Sequence, residues 1–210
     1  MRRIAGFTLV ELAIALAIIA LLLGMLIVPL GTQVDQRRIN DTQKQISLIN
    51  EAIIGFTVAN GRLPCPAIGT TANTAVGAGT ESRNTAVVPA VCTGTDGVIP
   101  WVTLGLAETD AWGRRFTYRV TGTMADDPAG GLQATFSLTD SGNITVTTGG
   151  AAPVNIATTI AAVVVSHGKN GLGAYHTNGS QLGGAAGDEL ENADADALFV
   201  SRIHEPNFDD

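Results

Sequence analysis

The sequence predicts an α+β protein, in which a long N-terminal helix, apolar in its first half and amphipathic in its second, packs on a small antiparallel β-sheet. Three observations carry this. Residues 12–34 contain no charged side chain. Apolar residues then recur every three or four positions from Ile39 to Phe56, and alternating patterns follow at 116–120, 132–138 and 144–146. At 210 residues the chain has room for one ordinary domain plus an appended segment.

The apolar run, 23 residues from Leu12 to Val34, is long enough at 1.5 Å per residue to cross a bilayer core of ~30 Å. Arg2 and Arg3 precede it, which keeps the N-terminus cytoplasmic and sends the rest across. A cleaved secretory signal is a poor description, because the run is too long and no small-x-small site follows it. A plain anchor leaves Glu11 unexplained. A carboxylate near the start of an apolar helix costs about 2.5–3.5 kcal/mol on insertion, which argues for a task.

The residues at this point are Gly6-Phe7-Thr8-Leu9-Val10-Glu11-Leu12. They resemble the processing motif of type IV prepilins and of the pseudopilins of type II secretion. The resemblance implies a leader at residues 1–6, a cut between Gly6 and Phe7 by prepilin peptidase, and methylation of the Phe7 amine. It implies a type IV pilin-like fold and assembly with other pilin or pseudopilin subunits on an inner-membrane platform. The localisation it implies is a single-pass protein of the bacterial inner membrane with a periplasmic head, later part of a filament. Losing Arg2 and Arg3 with the leader would take the side-chain charge from −7 to −9. That balance argues against a nucleic-acid partner, since phosphates call for clustered Lys and Arg.

Glu11 matches the family's glutamate, and its chemistry follows from burial. Cleavage frees a cationic amine at Phe7, and Glu11 lies one helical turn away. When such helices bundle, neither charge can stay unpaired at low cost. An incoming amine selected by a neighbour's Glu11 would therefore set axial register.

Residues 7–34 form the apolar transmembrane or filament-core helix and 35–61 its amphipathic continuation. Gly24, Pro29 and Gly31 predict a kink or local melting between them. Beyond, Ile39, Thr42, Ile46, Ile49, Ile53 and Phe56 form a stripe facing the sheet, with Leu48 and Ile54 widening it. Arg37, Arg38, Asp41, Lys44, Gln45 and Glu51 populate the opposite side. Asn60-Gly61 closes a helix of about 80 Å.

The head comprises residues 62–210. Its first part, 62–110, reads as irregular loop with a low-complexity stretch over 69–86. Cys65 and Cys92 follow the membrane segment, and a pair in an oxidising compartment reads as one disulfide, the alternative being two free thiols. The bond would close a loop of 28 residues, counting both ends. It would contribute about 3–4 kcal/mol and be the main source of order there.

The second part, 111–210, predicts sheet and an acidic loop. Phe116, Tyr118 and Val120 define one strand, Leu132, Ala134, Phe136 and Leu138 another, and Ile144 with Val146 a third after the Asp140–Asn143 turn. Ala161–Val165 is a continuous apolar run suited to a central strand or one covered on both faces. Together they suggest a meander of three or four strands. Asp110-Ala111-Trp112-Gly113 resembles a D-P-W-G segment of the major pseudopilin, with alanine in place of proline. Ser166-His167-Gly168-Lys169-Asn170-Gly171 resembles a strand-to-turn segment of pseudopilin-like proteins. Trp101 and Trp112 read as core aromatics at the sheet edge.

Asp188, Glu189, Glu191, Asn192, Asp194 and Asp196 form an oxygen-rich cluster after a glycine-rich stretch. That composition suits Ca²⁺; it is not an EF-hand, because Asp196 is not followed by glycine. Glu191-Asn192-Ala193-Asp194 resembles the C-terminal segment of the major pseudopilin, where bound calcium steadies the head, although Ala195 stands where isoleucine is usual. A solvated acidic loop before a last strand at 197–200 is the second reading, and no other cofactor is indicated.

No enzyme motif is present: the chain lacks G-x-S-x-G, a Walker loop, H-E-x-x-H and C-x-x-C. His167, His176 and His204 match no structural zinc spacing. Ser166 and His167 are adjacent on a strand and point to opposite faces. Two functions remain, a structural filament subunit and a minor pilin whose 62–110 segment binds a surface, a secreted protein or DNA. The resemblances at 110–113 and 191–194 favour the first.

Overall fold

Helix formation at the N-terminus follows from an unbroken supply of Leu, Ile and Ala, and helix α1 runs Leu9–Asn60 in a computed structural model of the chain. The structure describes residues 8–130, 132–202, 208 and 210, with the side chains of 23–30 outside that description. Gly6 and Phe7 therefore lie outside the described residues. Two compact units are distinguished, Met1–Asn40 and Asp41–Asp210.

In the first unit the backbone stays helical through Gly24, Pro29 and Gly31, so the expected melting does not occur. Proline removes one donor, which leaves the ladder intact on either side. The large apolar side chains between Leu9 and Leu22 are all more than half exposed. Among the described residues no helix is long and apolar enough to cross a membrane. The expected span, 7–34, includes Phe7 and the side chains of 23–30, which are not described.

In the second unit the helix supplies its predicted stripe. Thr42, Ile49 and Ile53 are buried, with Ile46 and Phe56 half-buried between and beyond them. Leu48 and Ile54 do not widen the stripe; they are exposed, as is Val58. Gln45 sits on the flank of the stripe and donates its Nε2 to Thr109 O at 3.2 Å. The helix ends as predicted. Gly61 takes φ +68°, its N–H donates to Thr57 O at 2.8 Å, and a Cβ there would strike Gln133 O.

The sheet differs from the expected single meander. The 62–110 segment forms β1 (Arg83–Asn84), β2 (Val91–Cys92), β3 (Asp96–Val98) and the one-turn helix α2 (Trp101–Leu104). There follow β4 (Thr117–Val120), β5 (Ile144–Thr147), β6 (Asn155–Ile160), β7 (Ala162–Val165), the short α3 (Asp188–Glu191) and β8 (Leu198–Val200). They assemble as three small sheets: β1-β2, β3-β4-β7 and β6-β5-β8. All pairings are antiparallel except β5 with β8, which run parallel, with Val146 opposite Phe199.

One core lies between α1 and the β3-β4-β7 sheet, around Ile49, Ile53, Val98, Phe116, Tyr118 and Val120. A second joins Ile144, Val165 and Phe199. Strand β7 serves both, Val164 packing on the first and Val163 and Val165 on the second. Its continuous apolar run thus reflects two covered faces, although the strand is at the edge of its sheet.

The predicted strand at 132–138 is absent. Leu132 and Leu138 are exposed, and Thr135 donates to Gly61 O and Asp126 O in place of a ladder. Alternation there had no neighbouring strand to pair with, so the segment wraps the end of the helix. Strand β6 was not anticipated. Its burial does not alternate cleanly, its pairing with β5 shifts register twice, and Thr159 has φ +60°.

Candidate functional site

The N-terminal site begins with a closed capping box. Thr8 N and Thr8 Oγ1 both donate to Glu11 Oε2 at 2.9 Å, and Glu11 N donates back to Thr8 Oγ1 at 3.2 Å. Glu11 thus stands at the helix start with a structured carboxylate, exposed to whatever joins it. Both bonds end on Oε2, so Oε1 can take one further cation without the box being rebuilt.

In the head, Cys65 and Cys92 are joined by a disulfide, with Cα atoms 5.4 Å apart. The bond does not act alone. Arg62 is buried and pairs with Glu81 (Nη1–Oε1 2.7 Å, Nη2–Oε2 3.1 Å), and Cys65 N donates to Glu81 Oε1 at 2.6 Å. Asp127 joins Arg62 at 3.1 Å and Arg83 at 2.6 Å. Tyr118 donates its hydroxyl to Pro64 O at 3.0 Å, and burial holds that phenol far above its ordinary range.

Arg115 is the second fastening. Its side chain is fully buried, and Nη1 donates to Gly69 O and Thr71 O, both at 2.8 Å. Nη2 donates to Thr177 O at 2.9 Å and Glu108 Oε1 at 2.7 Å, while the guanidinium lies 4.7 Å from the Trp101 ring centre. The loop of 62–110 therefore owes its order to two arginines as well as to the disulfide. Sequence reasoning missed both; the available signal for Arg115 was its place directly before Phe116, where the apolar alternation begins.

The Asp110-Ala111-Trp112-Gly113 segment is a tight turn. Asp110 Oδ1 accepts from Trp112 N and Arg114 N at 2.9 Å, Oδ2 accepts from Ser166 Oγ at 2.8 Å, and Gly113 has φ +78°. Ala111 N donates to Thr42 Oγ1 at 3.3 Å, which accounts for a threonine in the helix stripe. Trp101 is a core residue and Trp112 is half-buried. His167 is fully buried between Thr117 Oγ1, 2.8 Å from Nε2, and Asp210 Oδ1, 3.4 Å from Nδ1. Ser166 donates to Asp110 and not to His167, and both residues lie beyond the end of β7 at Val165. His176 contacts Arg114 at 3.1 Å, and His204 lies outside the described residues.

The acidic loop divides. Glu191, Asp194 and Asp196 each bring a ligand oxygen within 4.8 Å of the others. Asp188 instead binds Gly150 N and Arg202, Glu189 is buried and accepts from Asn170 at 2.7 Å, and Asn192 is buried. Asn192 clamps Val200 through both backbone groups and donates to Asp210 at 3.0 Å. Three of the six predicted ligands are thus committed to structure. Burial, then repulsion from Asp194, Asp196 and Asp188, pushes the Glu191 carboxyl above the usual range. Three hard, partly repelling carboxylates on a loop suit a hard divalent cation, and Glu191, Asp194 and Asp196 are the residues that would hold it.

The family model for the prokaryotic N-terminal methylation motif matches residues 1–27. Neither the curated proteins nor the solved structures give a match to the chain. The match covers Arg2, Arg3, Gly6, Phe7, Glu11 and the apolar run from Leu12 as far as Ile27. The chain therefore carries the prepilin signature of type IV pilins and pseudopilins at its N-terminus.

Proposed function

We propose that this chain is a structural subunit of a type IV pilus-like or type II secretion pseudopilus filament. The observation that carries the reading is the methylation motif at residues 1–27, coupled to a helix whose large apolar side chains between Leu9 and Leu22 are exposed. Prepilin peptidase cuts after Gly6, and Phe7 becomes the methylated N-terminus. Until assembly the apolar segment is held in the inner membrane with the head in the periplasm. On assembly the Phe7 amine of one subunit pairs with Glu11 of its neighbour, and the exposed leucines and isoleucines of 9–22 are covered by other helices.

Mass analysis of the mature N-terminus from the native host tests this directly. The expected product begins at Phe7, carries one methyl group, and is enriched in the sheared filament fraction over the membrane fraction. Retention of Met1, or a processed chain found in membranes alone, overturns it.

A further inference from the structure

We propose that the head carries a binding cavity for a small neutral carbohydrate. The proposal goes beyond the filament reading and stands on head residues alone. The cavity lies between the segment 66–70, the residues leading into β3, and the loop around Tyr175. Its volume is about 320 Å³, at the lower end of the range for small-molecule sites.

The chemistry of its walls narrows the ligand. Thr70, Ser82, Thr93 and Tyr175 bring hydroxyls that have no hydrogen-bond partner among the described residues. Free hydroxyls in a concave site favour a ligand rich in matching donors and acceptors. Ile68, half exposed, adds apolar surface, which suits the C–H faces of a sugar ring. No Lys, Arg or His lines the cavity. Its carboxylate, Asp96, is already paired with Arg119. A phosphate or carboxylate ligand would find no counter-charge there, and a cation would compete with an arginine already in place.

The cavity is also pre-organised, which distinguishes it from a gap between loose loops. Arg115 ties Gly69 O, Thr71 O and Thr177 O to one buried guanidinium, so two walls share a single fastening. The Cys65–Cys92 disulfide fixes the chain one residue before Pro66 and one before Thr93. Tyr175 packs its ring so closely over Gly69 that no side chain fits between them. A site held this way loses little entropy on binding.

The test uses the full mature chain in a detergent without a sugar headgroup, and saturation-transfer NMR with neutral mono- and disaccharides, acidic sugars and a Gly-Ser peptide. Transfer to at least one neutral saccharide is expected. Thr93→Phe, which fills the cavity, and Tyr175→Leu should each weaken binding about tenfold or more, the equivalent of ~1.4 kcal/mol. Leu138→Ser, on an exposed loop outside the cavity, should leave it unchanged. Ser82→Val replaces Thr93→Phe if the larger side chain prevents folding. The proposal fails if no neutral saccharide binds, if binding survives the cavity variants, or if the acidic sugars or the peptide bind in preference.

Discussion

The apolar segment at the N-terminus and the head treat their hydrophobic residues in opposite ways. Between Leu9 and Leu22 the large apolar side chains run from 86 % to 51 % exposed. In the head Val98, Phe116, Tyr118, Val120 and Ile144 are at or below 2 %, as is Ile49 of the helix that packs on it. The head meets the demand to bury apolar surface within one chain, whereas the N-terminal segment leaves its own large apolar side chains exposed. One region is therefore legible as a linear motif and the other only through long-range contacts. A defect in the first should abolish assembly without touching the fold, and a defect in the second should do the reverse.

The largest separation is expected from Glu11→Ala. The variant should insert, be cleaved and keep the head's melting temperature. Its recovery in sheared filaments should fall more than a hundredfold, matching the ~3–5 kcal/mol cost of leaving one partner of a buried charge pair alone. Normal incorporation, measured by quantitative immunoblot of filament and membrane fractions, would remove Glu11 from the assembly interface. Arg115→Met should act on the head alone. It strands Gly69 O, Thr71 O, Thr177 O and Glu108, and should cost about 3–5 kcal/mol, or roughly 10 °C in melting temperature. Cys65→Ser with Cys92→Ser should cost a similar ~3–4 kcal/mol. A drop for the cysteine pair several times that for Arg115→Met would restore the disulfide as the dominant fastening.

The smallest effect concerns the acidic loop. Glu191 has a raised carboxyl pKa in the folded head, so the native state holds its proton more readily than the unfolded chain. Stability should therefore rise as pH falls from Glu191's folded value to the ordinary carboxylate range, and be lowest above that window. Calcium should stabilise the head above the window by neutralising Glu191, Asp194 and Asp196, and lose effect as acid protonates them. Glu191→Gln should remove both the pH slope and most of the calcium response in thermal melts. A melt indifferent to calcium and chelator leaves the cluster as a solvated loop.

Much of the helix was legible because its information is local. The Asn60-Gly61 stop needs only the tolerance of glycine for positive φ, and the Thr42–Phe56 stripe needs only a period of three to four. Strands at 117–120, 144–147, 162–165 and 198–200 were visible for the same reason. The strand expected at 132–138 failed because alternation signals a half-buried surface, not the presence of a partner. Strand β6 was missed because an irregular edge strand shows no clean alternation. The acidic cluster was legible as composition, but its division into Glu191, Asp194 and Asp196 against Asp188, Glu189 and Asn192 depends on Arg202, Asn170 and Val200, which sit in other segments.

By itself the sequence determined the N-terminal methylation motif, the helix and its buried stripe, and it made a bond between the two cysteines the expected reading. Each is written in neighbouring residues or in a count of two. The tertiary structure alone decided that the 62–110 segment is an ordered wall and not a loose loop. Arg62 with Glu81, and Arg115 with three carbonyls, join residues 19 to 62 positions apart. Which buried cation meets which carbonyl depends on where the chain returns in space, and no local pattern encodes that return.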